Sequence, residues 1–324
     1  MITAQKNNIL DAVMGLCVGD ALGVPVEFMS RDVLKANPVV GMREYGTHHQ
    51  KAGTWSDDTS LTLCLVDVLI DGPDYKELMN KFRLWLTKAK YTPHGEVFDA
   101  GIATRQAIQK YTMGVTPLQC GGSADLDNGN GSLMRILPLL FYLQTKYGQD
   151  FASKEEAWEV IHNVSSLTHA HRRSQIACGI YIQIASMLDQ ETQLLRAVQL
   201  GIQKAKEFYS NQPQFQEELK FYSRLLDADF KATPESKIRS SGYVVDTLEA
   251  AIWCLLNTQS YKECVLKAVN LGDDTDTVAA VAGGLAGVFY GYKSIPGEWI
   301  ECIARKEYIY SLCNTLKTSL EKMS

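Results

Sequence analysis

Apolar residues recur at spacings of three and four along nearly the whole chain, and this periodicity limits the possible folds more than any other sequence feature. In residues 7–24, Ile9, Val13 and Cys17 fall on one helical face, whereas alternating strand patterns are scarce. Pro and Gly lie mostly between the periodic segments. Helices are predicted over residues 7–24, 57–70, 75–89, 97–111, 132–147, 154–165, 172–188, 191–208, 244–257, 260–269, 275–291 and 298–305. The pattern is typical of an all-α protein.

Two of these segments carry glycine at every fourth position, which puts the glycines on one helical face. They are Gly15, Gly19 and Gly23 in the first helix and Gly283, Gly287 and Gly291 in the penultimate one. A glycine inside a helix costs ~1 kcal/mol relative to alanine. The pattern therefore predicts two central helices whose backbones approach very closely.

Small residues four apart are also typical of membrane helices that pack together. The apolar run 278–290 has only 13 residues, against ~20 for a membrane span. Asp11, Asp20 and Glu27 interrupt the N-terminal run. We therefore expect core helices and no membrane partner.

The amino-acid composition and net charge exclude several classes of function. Of the 324 residues, 46% are hydrophobic and 21% charged, as in soluble globular proteins. The net charge is −5 and no basic cluster occurs, so a nucleic-acid partner is not expected. The eight cysteines include no CxxC pair, and the N-terminal residues lack the pattern of a secretion signal. Because the cysteines are scattered and no secretion signal is found, we expect a cytoplasmic location. Because the sequence contains no repeat and no flexible linker, we expect one domain over residues 1–324.

Two acidic segments precede strongly apolar helices. Residues 53–60 read Gly-Thr-Trp-Ser-Asp-Asp-Thr-Ser, and residues 272–277 read Gly-Asp-Asp-Thr-Asp-Thr. Helix capping is the simpler interpretation, but one cap needs one side chain. If both segments met in the core, their carboxylates would repel unless a divalent cation lay between them. Oxygen donors without His or Cys favour Mg²⁺ or Mn²⁺ over zinc, and there are enough of them for two ions.

Two further segments carry weaker signals. Residues 127–135, Asp-Asn-Gly-Asn-Gly-Ser-Leu-Met-Arg, form either a turn before the predicted helix 132–147 or an anion site at its N-terminus. They match neither a P-loop nor a dinucleotide fingerprint.

His169 and His171 lie two residues apart and would face different directions on a helix, so a joint metal site is not expected. Surface or capping roles for these histidines stay open.

Taken together, these motifs resemble those of the ADP-ribosylglycohydrolases, the group of the dinitrogenase reductase-activating glycohydrolase. The similar segments are 15–28, 53–59, 99–105, 129–135, 167–169, 241–247 and 272–277. They occur in family order and cover the chain from residue 15 to about 291. One departure is Ser56, where threonine is commoner in the family. Another is residues 212–239, which look like an extra polar segment with few apolar anchors.

The resemblance implies a compact orthogonal multi-helix bundle with two Mg²⁺ ions (Mn²⁺ possible) in a central cleft. Glu27 would flank the first metal and Asp99 would lie near the scissile bond, while Asp58 and Asp276 would orient a water molecule as well as bind metal. The implied metal ligands are Ser56, Asp57, Asp58, Asp274, Asp276 and Thr277. The implied substrate-binding residues are Gly129, Asn130, Gly131, Ser132 and Met134 at the diphosphate and distal ribose, His169 close by, and Tyr243 near the adenine or distal ribose.

The implied activity is hydrolysis of the glycosidic bond between ADP-ribose and an acceptor, with an ADP-ribosylated protein or an ADP-ribose derivative as partner. We favour arginine as acceptor because a carboxylate-rich pocket suits a guanidinium group. Serine-linked ADP-ribose and O-acetyl-ADP-ribose are alternatives, as is a non-catalytic relative of the J1-crystallin kind. A Mg²⁺-dependent phosphohydrolase would share the metal site, but only Arg135 is available here to clamp a phosphate.

Overall fold

The computed structural model describes residues 8–191 and 193–323, which are almost entirely helices and turns. Within these residues no sheet forms, and the only strand-like contacts are three isolated bridges. The all-α prediction is thereby confirmed. The helices are α1 (Asn8–Gly23), α2 (Arg31–Ala36), α3 (Asp57–Leu69), α4 (Tyr75–Lys88), α5 (Ile102–Thr112), α6 (Leu139–Tyr147), α7 (Glu155–Ser166), α8 (Arg172–Gln190), α9 (Leu194–Ser210), α10 (Gln216–Leu219), α11 (Val244–Leu256), α12 (Tyr261–Val269), α13 (Thr275–Tyr290), α14 (Gly297–Cys302) and α15 (Lys306–Met323).

Helix α6 begins seven residues later than predicted, at Leu139 rather than at residue 132. Pro138 has no N–H to donate to the carbonyl of Met134, and the Thr62 hydroxyl approaches that carbonyl at 3.5 Å instead. Residues 131–138 form successive turns. The predicted helix start at residue 132 was therefore wrong, and in the described part of the chain no helix begins directly after the glycines at 129–131.

Two other sequence predictions were incomplete. Helix α5 begins at Ile102, not at 97. The prediction missed α15, although its buried side chains Ile309, Cys313, Leu316 and Leu320 recur at helical spacing. The helical periodicity therefore continues beyond residue 305, where the last predicted helix ends.

Helices α1 and α13 cross at backbone contact distance. A Cβ atom built on Gly15 would lie 2.4 Å from the carbonyl oxygen of Gly283, and one on Gly19 would lie 2.1 Å from that of Ala279. No alanine fits at either position without moving backbone. The predicted close approach of two central helices is confirmed. Gly291 differs, because it ends α13 with φ +81° and no atom lies near its missing Cβ.

The first helix and its following turn, Asn8–Val26, are long and apolar enough to cross a membrane, yet 94% of that window is buried inside the protein. Packing against α13 and the surrounding core accounts for its apolar character.

The close approach of α1 and α13 also sets the position of the second acidic segment, residues 272–277. A Cβ on Gly23 would lie 2.3 Å from Cα of Asp276, and the Thr275 hydroxyl donates to the Gly23 carbonyl at 2.9 Å.

The segment 212–239 is anchored more firmly than its sequence suggests. Phe215, Tyr222 and Phe230 are buried, which contradicts the expectation of few apolar anchors. The Arg31 guanidinium donates to the carbonyls of Glu235 and Ile238 at 2.7 Å each and to that of Leu271 at 2.8 Å. Arg31 thereby joins the end of segment 212–239, through hydrogen bonds, to Leu271, the residue before the second acidic segment.

Candidate active site

Asp20 organises the start of α3 from within the core. Its carboxylate is fully buried and accepts hydrogen bonds from the backbone N–H of Ser56 at 2.9 Å and that of Thr59 at 3.1 Å. The Thr59 hydroxyl donates a third bond at 2.6 Å. Burial raises the pKa of Asp20 to about 6, and these hydrogen bonds oppose the rise. Sequence reasoning gave Asp20 no role, although an acidic residue on an apolar helix was the available signal.

Two loops pair through their backbones and bring Glu27 beside the second acidic segment. The N–H of Phe28 donates to the carbonyl of Asp273 at 2.7 Å, and the N–H of Asp273 donates to that of Met29 at 2.9 Å. Both Phe28 and Asp273 adopt positive φ, 65° and 61°. Carboxylate oxygens of Glu27, Asp274 and Asp276 consequently lie within 4.8 Å of one another.

The two acidic helix starts converge, as the sequence predicts. The Thr277 hydroxyl at the start of α13 donates to Oδ2 of Asp58 at 3.2 Å, and the Ser56 hydroxyl lies at the same distance from that oxygen. The N–H of Gly101 approaches Oδ2 of Asp57 at 3.4 Å. Oδ1 of Asp58 is buried and has no hydrogen-bond partner among the described residues.

This arrangement fits a hard divalent cation. Burial raises the pKa values of Asp57, Asp58, Asp274 and Asp276, and the neighbouring carboxylates raise them further. A buried carboxylate oxygen without a partner, such as Oδ1 of Asp58, is costly in free energy unless a cation or proton meets it. The donors around it are oxygen atoms of Asp, Ser and Thr side chains, the set that Mg²⁺ and Mn²⁺ prefer.

Glu27 also belongs to a second group, with His48 and Asp99, whose ligand atoms lie within 4.8 Å of one another. Nε2 of His48 is in very short contact with the Glu27 carboxylate. Burial, and secondarily the charges of Asp99 and Asp274, raise the pKa of Glu27 to about 7. The contact with Glu27 raises the pKa of His48. The sequence analysis missed His48, since no motif marks the turn that carries it.

The predicted substrate loop, residues 129–131, lies against the second acidic segment, residues 272–277. The side-chain amide of Asn130 donates to Asp274 at 2.8 Å and to the Thr247 hydroxyl at 2.9 Å. Its backbone N–H donates to the carbonyl of Gly242 at 3.1 Å. A bridge joins Gly129 to Tyr243. Segments 129–131 and 241–247 therefore form one wall beside the carboxylates.

The other predicted substrate residues lie at different depths. His169 is buried, and its ring packs against Gly131, where an added Cβ would lie 2.8 Å from Cε1. Ser132 and Met134 are buried as well, and the Ser132 hydroxyl accepts a bond from Ser165 at 2.9 Å. Their side chains belong to the core under the loop. Tyr243 is half-buried.

A third acidic group contains Asp125, His171 and Glu218. The Arg173 guanidinium lies 2.7 Å from Glu218 and 3.5 Å from Asp125, so an internal cation already neutralises these carboxylates. His171 caps α8 by accepting the N–H of Arg173 at 3.2 Å. This group is a structural ion-pair network, which agrees with the capping alternative for His171.

Comparison with known proteins finds relatives that match over nearly the whole chain. The ADP-ribosylarginine hydrolase Tri1 of Pseudomonas putida is 34% identical over 309 residues, which are 94% of this chain and 76% of that protein. The ADP-ribosyl-[dinitrogen reductase] glycohydrolase of Rhodospirillum rubrum is 30% identical over 310 residues, or 92% of this chain and 90% of that protein. A solved structure described as an ADP-ribosylglycohydrolase-related protein complex matches with a TM-score of 0.76 and 29% identity, over 97% of this chain and 98% of that one.

A sequence model of the ADP-ribosylglycohydrolase family matches residues 1–323. The match spans both acidic segments, the Asn130 loop and the glycine-faced helices that bring them together. With relatives at 30% identity or more over nine-tenths of the chain, the protein belongs to the ADP-ribosylglycohydrolase family.

Proposed function

We propose that this protein is a Mg²⁺-dependent hydrolase that removes ADP-ribose from modified arginine side chains. The observation that carries the proposal is the convergence of buried carboxylates from two distant helix starts, with Asp58 and Thr277 in hydrogen-bond contact. The unpartnered Oδ1 of Asp58 lies within that convergence. Ser56, Asp57, Asp58, Asp274, Asp276 and Thr277 would hold two Mg²⁺ ions, or Mn²⁺ in their place.

When bound, the cations would neutralise the carboxylates, orient the ribose hydroxyls and supply Lewis acidity for the attack of water. Glycosidic bond cleavage passes through an oxocarbenium-like transition state and needs a group that moves a proton. Glu27 is suited to this role because its buried carboxylate lies within 4.8 Å of those of Asp274 and Asp276 without being one of the proposed metal ligands. In the metal-free protein, burial raises the pKa of Glu27 to about 7. The short contact with His48 orients the Glu27 carboxylate. Asp99, in the same group, is the second candidate.

Two arguments favour arginine as the acceptor. Carboxylate oxygens of Glu27 and Asp99 lie within 4.8 Å of each other, and a guanidinium group pairs with carboxylates through charge-assisted hydrogen bonds. The relatives from Pseudomonas putida and Serratia proteamaculans, 34% and 32% identical, are both named ADP-ribosylarginine hydrolases.

The test is incubation of the purified protein with arginine-modified and serine-modified ADP-ribosyl peptides, each with Mg²⁺ and with EDTA. Chromatography of the products distinguishes ADP-ribose from AMP. We expect ADP-ribose from the arginine peptide, only with Mg²⁺. Release of ADP-ribose from the serine peptide alone would contradict arginine as the acceptor. AMP as the product would indicate a phosphohydrolase.

A matched pair of variants ties the activity to the site. Asp276→Asn removes one buried carboxylate of the cluster, and Asp150→Asn removes an exposed one that pairs with Lys204. The first should lose activity and Mg²⁺ affinity together, while the second should behave as wild type. Binding of ADP-ribose without turnover under every condition would instead support a non-catalytic relative.

A further inference from the structure

Arg135 is a fully buried cation under the Asn130 loop. Its Nη2 donates to the Val164 carbonyl at 3.2 Å and to the Thr168 hydroxyl at 2.8 Å. In the part of the chain that the structure describes, Nε and Nη1 have no hydrogen-bond partner, and the guanidinium lies 4.7 Å from the ring centroid of Phe82. Within the described residues no carboxylate lies within ion-pair distance of Arg135. A buried charge with so few partners is destabilising, which suggests a role beyond packing.

The contact between Arg135 and Thr168 determines to which atom the Thr168 hydroxyl can donate its proton in a hydrogen bond. A guanidinium group has no acceptor, so the Thr168 oxygen accepts the bond from Nη2. The hydroxyl proton is then free for the neighbouring ring nitrogen, Nδ1 of His169, at 2.8 Å. If Nδ1 carried the proton instead, the buried hydroxyl proton would lack an acceptor. Nδ1 therefore accepts.

The protonation state of His169 follows from the same surroundings. Burial, reinforced by the charge of Arg135, lowers the pKa of His169 to about 3. The ring is therefore neutral at physiological pH and carries one proton. With Nδ1 accepting from Thr168, that proton lies on Nε2.

Nε2 of His169 faces the glycines of the Asn130 loop. A Cβ built on Gly129 or on Gly131 would lie 3.4 Å from Nε2, so a side chain at either position would crowd this nitrogen. Among the described residues Nε2 has no hydrogen-bond partner of its own. An ionised phosphate oxygen only accepts hydrogen bonds, so it requires a donor at this point.

We propose that Arg135 and Thr168 are positioning residues that hold His169 in its Nε2–H tautomer, so that the imidazole always presents a donor to a phosphate oxygen at the Gly129–Gly131 loop. Assigning that oxygen to the diphosphate of ADP-ribose rests on the proposed function. The tautomer itself does not, because it follows from contacts within the protein. The hydrogen-bond chain runs from Arg135 through Thr168 to His169 and requires no proton transfer.

The test is a long-range ¹H–¹⁵N correlation spectrum of the histidine rings in ¹⁵N-labelled protein, with the His169→Gln variant identifying the signals. In the wild type we expect an unprotonated Nδ1 and a protonated Nε2, unchanged between pH 5.5 and 8. Thr168→Val keeps the shape of the side chain but removes the hydroxyl, and should give a mixture of tautomers. Thr168→Ser keeps the hydroxyl and should restore the wild-type spectrum.

Calorimetric titration with ADP-ribose provides the second readout. Thr168→Val should weaken binding about tenfold and Thr168→Ser should not. A wild-type spectrum with protonated Nδ1, or a valine variant with unchanged ring signals, would overturn the proposal. If the valine variant does not fold, the wild-type spectrum decides. Protonated Nε2 without any ADP-ribose binding would reject the proposed function but uphold the tautomer.

Discussion

Thr277 and Asp58 lie 219 positions apart in the sequence, and the Thr277 hydroxyl donates a hydrogen bond of 3.2 Å to the Asp58 carboxylate. Each residue belongs to the first turn of a helix. The contact therefore joins two helix N-termini whose dipoles favour negative charge. The same turns supply most of the carboxylates in the candidate metal site.

The first prediction concerns metal binding by these helix starts. Asp58→Asn should remove the stabilisation that Mg²⁺ gives the wild type, which mass action puts at about 2.7 kcal/mol when the ion is present at 100 times its Kd. Urea unfolding with Mg²⁺ and with EDTA measures the difference. Asp32→Asn, at an exposed position on α2, serves as control. Equal Mg²⁺ stabilisation of the Asp58 variant and the wild type would contradict the ligand assignment.

The second prediction concerns the carboxylate beneath the first acidic segment. Asp20→Asn should destabilise the protein by about 2–3 kcal/mol, because an amide cannot accept all the bonds from Ser56 and Thr59 and adds a buried donor. The variant should also need more Mg²⁺ for half-maximal activity, since the turn that carries Ser56 and Asp57 loosens. Chemical denaturation and a Mg²⁺ titration measure the two effects. Wild-type values in both would show that Asp20 does not hold this turn.

The third prediction concerns the crossing of α1 and α13. Gly19→Ala should cost at least the 1–3 kcal/mol typical of overpacking, because the added Cβ meets the Ala279 backbone, which cannot rotate away as a side chain would. Gly297→Ala is the matched control, as no atom lies within 4 Å of its Cβ position. Thermal unfolding compares the pair. Similar midpoints for the two variants would mean that the helices can separate without cost.

The fourth prediction concerns pH. In the metal-free protein the pKa of Glu27 rises from 4.5 to about 7, so the folded state binds this proton more tightly than the unfolded state does. The resulting stabilisation is fully present below pH 4.5 and is lost as the pH rises through 7. The loss amounts to at most about 3 kcal/mol.

Denaturation in EDTA across this pH range measures the effect. Glu27→Gln should flatten the profile, whereas Glu217→Gln, which changes an exposed carboxylate, should leave it as in the wild type. An unchanged slope in the Glu27 variant would show that other groups carry the pH dependence.

Sequence patterns alone determined the helical class, the close pair of glycine-faced helices and the two acidic helix starts. Each of these is a local property, because helical spacing, glycine register and adjacent carboxylates are read within one segment. Even the late start of α6 had a local cause in Pro138. The polar segment 212–239 was misjudged because its anchors Phe215, Tyr222 and Phe230 are sparse and lie in three separate short turns.

Only the tertiary structure decided which residues support the site. Asp20, His48 and Arg135 form hydrogen bonds with partners that are distant in the sequence. A hydrogen bond depends on positions within a few tenths of an ångström, and those positions arise from packing many segments at once. The candidate metal ligands were visible in the sequence because they are clustered, whereas the residues that contact them from elsewhere were not, because each is a single residue whose contacts depend on what lies opposite.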